Sequence, residues 1–323
     1  MCTAITFNGK DTYFGRNLDL EYRLNEAVTI MPRNFPLKYR FIDTESYHPA
    51  IIGMATVRED YPLYYDAANE YSLAMAGLNF VGNAVYSPPK ENKLNITTFE
   101  LIPYILGNCK NVFEAVTLLK QINITDTPFN KELSVGYLHW IIADKNSSIV
   151  VEPLKEGIKI YDNPVGVLTN NPTFDFHLKN LNQYINLTPN DNKKAFAENL
   201  NFPFLSHGLG AVGLPGDLSS ISRFVRATYH KFCTVKPETE EESVTNFFHI
   251  LNSVFQTEGL TRFDGKFEKT VYSSCINIDK CIYYYKTYEN CRISKIDRFA
   301  TDFKGNSIIS YPIITKQSFK NIV

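Results

Sequence analysis

The stretch that decides the fold is the first: Met1-Cys2-Thr3-Ala4-Ile5-Thr6-Phe7-Asn8-Gly9-Lys10-Asp11-Thr12-Tyr13-Phe14-Gly15-Arg16-Asn17-Leu18-Asp19. Thr3, Ile5 and Phe7 alternate with Cys2, Ala4 and Thr6, Asn8-Gly9 is a strong hairpin turn, and Thr12–Leu18 reads as the returning strand. The same period of two predicts strands at Ala50–Val57, Tyr71–Phe80, Tyr137–Ala143, Ser148–Pro153, Ile158–Asp162, Thr270–Asn277, Cys281–Tyr288 and Ser307–Tyr311. Short polar turns at Lys145-Asn146 and Asp279-Lys280 favour antiparallel pairing. Helical spacing marks Phe99–Leu106, Val112–Ile122, Ser220–Phe232 and Glu242–Phe255. The helices come in pairs between groups of strands, which predicts an α+β fold of two packed antiparallel sheets with helix layers outside. Leu187–Leu214, rich in Asn, Pro, Lys and Gly, reads as a surface excursion within one domain spanning 1–323.

Composition excludes several classes. The chain has 323 residues, 44% of them hydrophobic, with 16 glycines and 16 prolines; collagen-like and largely disordered chains are ruled out. A formal net charge of −1 lacks the basic excess of a nucleic-acid binder. No basic segment followed by an apolar run opens the sequence and no uncharged apolar run reaches membrane-spanning length, so the expected location is the cytoplasm, with no membrane partner. Six cysteines are too sparse for a disulfide scaffold, and no Cys-x-x-Cys or His-x-x-x-His spacing suggests a metal site. No cofactor is expected.

Cys2 carries the chemistry. Removal of Met1, which a small second residue permits, leaves a cysteine with a thiol and a free α-amine. Their ordinary pKa values, about 8.5 and about 7.7–8.0, let the amine take the thiol proton near neutral pH. A two- or four-residue turn puts Cys2 opposite residues 15–17, so that Arg16 lies beside the thiol and favours the thiolate. Asp19 is three residues further on, where its side chain can hold the amine.

The string Met-Cys-Thr-Ala-Ile-Thr…Phe-Gly-Arg-Asn-Leu-Asp closely resembles the start of the choloylglycine hydrolase family, the bile salt hydrolases and penicillin V acylases. Three further blocks resemble the family in order: Met75-Ala76-Gly77-Leu78-Asn79-Phe80, Leu168-Thr169-Asn170-Asn171-Pro172-Thr173-Phe174, and Gly213 to Phe224 with Ser222-Arg223-Phe224 at its end. The resemblance implies a four-layer αββα N-terminal-nucleophile sandwich. It implies Cys2 as nucleophile, with Arg16, Asp19, Asn79, Asn170 and Arg223 as the other catalytic positions. Side-chain amides suit Asn79 and Asn170 to an oxyanion without burying a charge. Ser219 and Ser220 are candidate caps for the helix that carries Arg223.

Hydrolysis of the amide joining a bile acid to glycine or taurine is the leading expectation, with penicillin V acylase as the alternative. Asn79 favours the first, since penicillin acylase members often carry Tyr there. Leu18, Leu20 and Leu24 offer an apolar wall for a steroid body, and the resemblance tips Tyr65 toward the pocket. A non-catalytic binding protein, or a papain-like enzyme with a separate His, are readings of other classes. His139, Arg226 and the remaining cysteines read as structural. The resemblance also implies a homotetramer that uses 187–214. In Ser206-His207-Gly208, a taurine-preferring pattern has Arg where this chain has His207, which predicts a taurine preference that weakens as pH rises.

Overall fold

The computed structural model describes residues 1–191, 199–200, 202–203, 205–297 and 303–323. Strands β1 (Cys2–Asn8) and β2 (Thr12–Leu20) pair antiparallel, with Asn8 opposite Thr12. The connection is thus Gly9 to Asp11, one residue different from either expected turn length. Gly9 N–H donates to Asp11 O at 3.0 Å, and Lys10 N–H donates to Ser243 Oγ at 3.0 Å. A Cβ on Gly9 would lie 2.6 Å from Ser243 Oγ, so only glycine fits this approach. This corrects the register: Cys2 stands opposite Leu18, not within 15–17, and Arg16 stands opposite Ala4. Because side chains alternate with period two, Cys2, Ala4, Arg16 and Leu18 still share one face.

The chain continues through β3 (Ala27–Met31), β4 (Ile51–Arg58), β5 (Tyr61–Asn69), β6 (Ala74–Asn79), β7 (Leu94–Thr97), α1 (Leu101–Asn108), α2 (Val112–Leu119), β8 (Ile122–Thr125) and β9 (Leu138–Ala143). Next come β10 (Ser148–Leu154), β11 (Gly157–Asp162), β12 (Val167–Leu168), α3 (Phe174–Asn180), α4 (Ser220–Cys233) and α5 (Glu240–Asn252). The last strands are β13 (Thr261–Phe263), β14 (Lys266–Asn277), β15 (Ile282–Thr287), β16 (Ser294–Asp297) and β17 (Ile309–Pro312). Alternation located β4, β9, β10, β11, β14, β15 and β17. It missed β3, whose five residues are all buried, because a strand covered on both faces loses the polar beat. The strand expected from Tyr71 starts only at Ala74. Asn69 Oδ1 accepts from the N–H groups of Tyr71 and Leu73, and Ser72 takes φ 67°, so the chain turns first.

Among the described residues, β12-β1-β2-β14-β15-β16, with β13 beside β14, form one large antiparallel sheet, β11-β10-β9-β6-β5-β4-β3-β17 form a second, and β7 and β8 make a separate parallel pair. Arg16 on β2 donates across to the backbone of β5 and β6, whereas Asn17 donates to Leu251 O of α5. The even-numbered face of β1 and β2 therefore looks between the sheets, and the odd-numbered face looks toward α4 and α5. One apolar core includes Ala4, Phe14, Met54, Ala76 and Ile141 between the sheets and Phe224 and Phe247 under the helices. A second packs α1 and α2 on the far sheet through Leu101, Ile105, Trp140 and Ile142. The layers are thus α, β, β, α. Each large apolar side chain so buried contributes about 1.5–3 kcal/mol. Helix starts follow local chemistry: Ser219 Oγ accepts from Ser222 N, and Thr239 with Glu242 forms a capping box on α5. No helix among the described residues is long and apolar enough to cross a membrane.

Candidate active site

Cys2 opens β1 with its side chain between the sheets, and with Met1 in place it is 3% exposed. Arg16, on the same face, is 1% exposed. Its Nη1 donates to Tyr65 O at 3.0 Å and to Gly77 O, so the hairpin is tied to the opposite sheet by a guanidinium. Burial works against its charge, but Cys2, Tyr272, Asp66 and Asp19 lie around it and hold its pKa above the ordinary value. Arg16 and Cys2 thus share one face of the hairpin.

The amine side of Cys2 is equally determined. Cys2 N donates to Asn170 Oδ1 at 2.8 Å. Arg223 Nη2 donates to the same oxygen at 2.7 Å, and since a guanidinium only donates, the atom facing it must be the oxygen. Asn170 Nδ2 then points the other way and donates to Asn79 O at 2.8 Å. Arg223 also donates from Nη1 to Cys2 O and, at 2.6 Å, to Thr3 Oγ1, and from Nε to Leu218 O at 3.0 Å. It is fully buried, and burial lowers its pKa against the pull of Asp19 and Cys2.

Two buried imidazoles hold the Thr169–Asn170 segment from behind: His139, which the sequence reading takes as a core or pocket-lining residue, and His177, which it does not consider. His139 Nε2 donates to Thr169 O at 2.9 Å while its Nδ1 lies 3.2 Å from Glu152 Oε1. His177 Nε2 donates to Asn170 O at 2.9 Å. Burial brings His177 down to about 4, so its ring is neutral at working pH. Nothing in local sequence pattern distinguishes such rings from other core histidines. Asn79 sits at the end of β6, exposed, its Oδ1 accepting from Val81 N at 3.2 Å.

Asp19 is brought to the site by its main chain. With Met1 present, the Met1 ammonium donates to Asp19 O at 2.8 Å, and Asp19 N–H donates back to Met1 O at 3.0 Å. The carboxylate, expected to hold the amine, instead accepts from Thr270 Oγ1 at 2.6 Å and from Gln256 Nε2 at 3.5 Å. That follows from parity: Asp19 is odd-numbered and points away from the thiol's face. The Met1 ammonium forms an ion pair with Glu268, a residue 3% exposed. Burial lowers the pKa of this ammonium, with Cys2 and Asp19 acting in the other direction.

The expected substrate-binding residues divide. Leu18 is buried directly opposite Cys2, and half-buried Leu20 packs on the same core. Half-buried Leu24 and Tyr65 are linked through Thr56, whose hydroxyl donates to Leu24 O at 2.8 Å and lies 2.8 Å from Tyr65 Oη. His207 stands apart, its side chain 91% exposed and its Nδ1 2.8 Å from Asp191 Oδ2. Of the excursion 187–214, residues 192–198, 201 and 204 lie outside the described residues. Arg226 is structural: it donates to Ser253 O, Pro215 O and Asp217 O at 2.7, 3.0 and 2.7 Å.

A cysteine at position 2 on the inner face of a four-layer αββα sandwich, with its main-chain nitrogen fixed by an asparagine, defines the N-terminal-nucleophile hydrolase class. Within it, the family model for linear amide C–N hydrolases of the choloylglycine hydrolase family matches residues 2–311, and the chain belongs to that family. It is 48% identical over 320 residues, 99% of each chain, to the bile salt hydrolase/transferase of Lactiplantibacillus plantarum. Its fold matches a crystal structure of a mutant conjugated bile acid hydrolase from Clostridium perfringens with TM-score 0.93, 37% identity and complete coverage of both chains. A penicillin V acylase from Agrobacterium tumefaciens shares the fold with TM-score 0.76 at 19% identity, covering 98% of this chain and 94% of that one.

Proposed function

We propose that the chain, once Met1 is removed, hydrolyses the amide bond of glycine- or taurine-conjugated bile salts. The observation that carries this is the bond from Cys2 N to Asn170 Oδ1, which aims the future α-amine while Arg16 lies on the thiol's face. The amine takes the thiol proton, and the thiolate attacks the amide carbonyl. Of the two asparagines expected at the oxyanion, Asn79 keeps that role, because Asn170 already spends its Nδ2 on Asn79 O. Asn170 holds the amine, Arg223 fixes Asn170 and the Cys2 carbonyl, and Arg16 stabilises the thiolate. Collapse expels the amine, which takes its proton from the Cys2 ammonium, and water cleaves the thioester with the α-amine as base.

The names of relatives at 48% and 40% identity, both bile salt hydrolase/transferases, support this substrate class. Leu18, Leu20, Leu24 and Tyr65 supply the apolar wall. The penicillin V acylase at 19% identity speaks only to the fold. A reactive thiol suits the reducing cytoplasm, where we place the enzyme. Assembly as a homotetramer through 187–214 completes the proposal, supported by the exposed Leu200, Phe202, Leu205 and Val212. Side-by-side turnover of glycocholate, taurocholate and penicillin V is the test, together with the intact mass of the active protein. Penicillin V as the preferred substrate, or full activity with Met1 retained, overturns it.

A further inference from the structure

Met1 occupies a slot that its removal leaves behind. Its ammonium rests on Asp19 O and on the carboxylate of Glu268, and its carbonyl accepts from Asp19 N–H. Glu268 is 3% exposed. Excision of Met1 therefore removes the cation paired with Glu268 and opens the slot in front of its carboxylate. Bond geometry puts the Met1 nitrogen within about 4 Å of Cys2 N. In the proposed reaction Cys2 N hands its proton to the nitrogen of the scissile amide, so the departing amine is released at the mouth of this slot.

We infer that Glu268 and the main-chain oxygen of Asp19 form the subsite for the amine half of the substrate, a primary amine that leaves as an ammonium. This rests on the amide-hydrolase reading above and assigns one of its subsites. In the acylation step the Cys2 sulfur–carbonyl carbon bond forms and the carbon–nitrogen bond breaks. The nitrogen takes one proton from the Cys2 ammonium and leaves as a neutral amine. A second proton, from water, makes it an ammonium, which sits where that of Met1 sat. The reverse traffic retraces these steps: an entering ammonium seated on Glu268 gives one proton to water and, as its nitrogen attacks the thioester, a second to the Cys2 amine, while the carbon–sulfur bond breaks and the sulfur leaves as the thiolate.

The test compares two substrates with one acyl group, glycocholate and the p-nitrophenyl ester of cholate, on the mature parent enzyme and on Glu268→Gln. The ester acylates Cys2 without releasing an amine. Loss of at least about tenfold in kcat/KM on glycocholate is expected, with the ester unchanged within about twofold. Glycocholate formed when glycine is added to the ester reaction should fall by the same factor as glycocholate hydrolysis, by microscopic reversibility. Glu268→Asp, which keeps the charge, should recover part of the loss. Equal loss on both substrates would assign Glu268 to the Cys2 amine or to folding, and loss on neither would leave it without a role; each overturns the subsite. A parent that turns over the ester but neither conjugate removes the hydrolase reading, and the subsite with it.

Discussion

The Cys2 end of the sandwich and the excursion 187–214 are opposite kinds of surface. Around Cys2 the two arginines are buried and committed: Arg223 reaches Cys2, Thr3, Asn170 and Leu218, and Arg16 bridges the sheets. In the excursion, Leu205 is 85% exposed, and His207 meets the carboxylate of Asp191 at the surface. A residue whose every donor is spent has one available geometry, and its role follows from its partners. Residues at a solvent-facing surface acquire a role only from whatever covers them.

The strongest way to break this contrast is Cys2→Ser. A hydroxyl has a pKa far above the amine's, so turnover should fall well beyond about 100-fold, 2.7 kcal/mol in barrier terms, with the melting temperature retained. A variant keeping more than about a hundredth of parental kcat/KM would remove the nucleophile from the committed end. Next, Asn79→Ala takes away the amide donor left for the oxyanion, and kcat should drop by about 100-fold with KM little changed. An unchanged kcat would return that role to another donor.

The support behind Asn170 is tested by pH. His177 has a folded pKa of about 4 against about 6.5 unfolded. Above pH 6.5 it contributes no pH dependence. As pH falls toward 4 the unfolded chain binds the proton first, so stability declines, by on the order of 2 kcal/mol at pH 4.5. His177→Gln keeps a donor for Asn170 O and should flatten that decline in chemical denaturation. An identical slope in both proteins would mean that the ring is not neutral in the fold.

Two smaller effects probe the excursion. Phe202→Ser with Leu205→Ser should delay elution on size exclusion relative to the parent while activity per chain persists; a parent that already elutes as a monomer refutes the assembly. His207→Arg should alter the taurocholate-to-glycocholate ratio of kcat/KM by less than about twofold, ~0.4 kcal/mol. A larger change that varies with pH would restore His207 to the specificity site.

What was legible in sequence was local. Alternation and the turn residues produced β1 and β2, and Ser219 marked the start of α4, because these depend on neighbours a few residues apart. Buried runs such as β3 were invisible, since a strand covered on both faces has no polar beat. The residue types of the candidate site were legible through the four blocks, but the partner each side chain turns to was not. Asn170 turned its oxygen to Cys2 N, and Asp19 turned its carboxylate to Thr270.

The sequence by itself determined that a cysteine follows Met1 at the start of a strand, and that period-two geometry keeps Arg16 on its face. The tertiary structure alone decided the register that sets Cys2 opposite Leu18, the link from Arg223 to Thr3 across 220 residues of chain, and the pairing of Met1 with Glu268. The physical reason is reach. Strand periodicity and helix caps act within one element, whereas the direction of a buried donor is set by the acceptors that a separate layer brings against it.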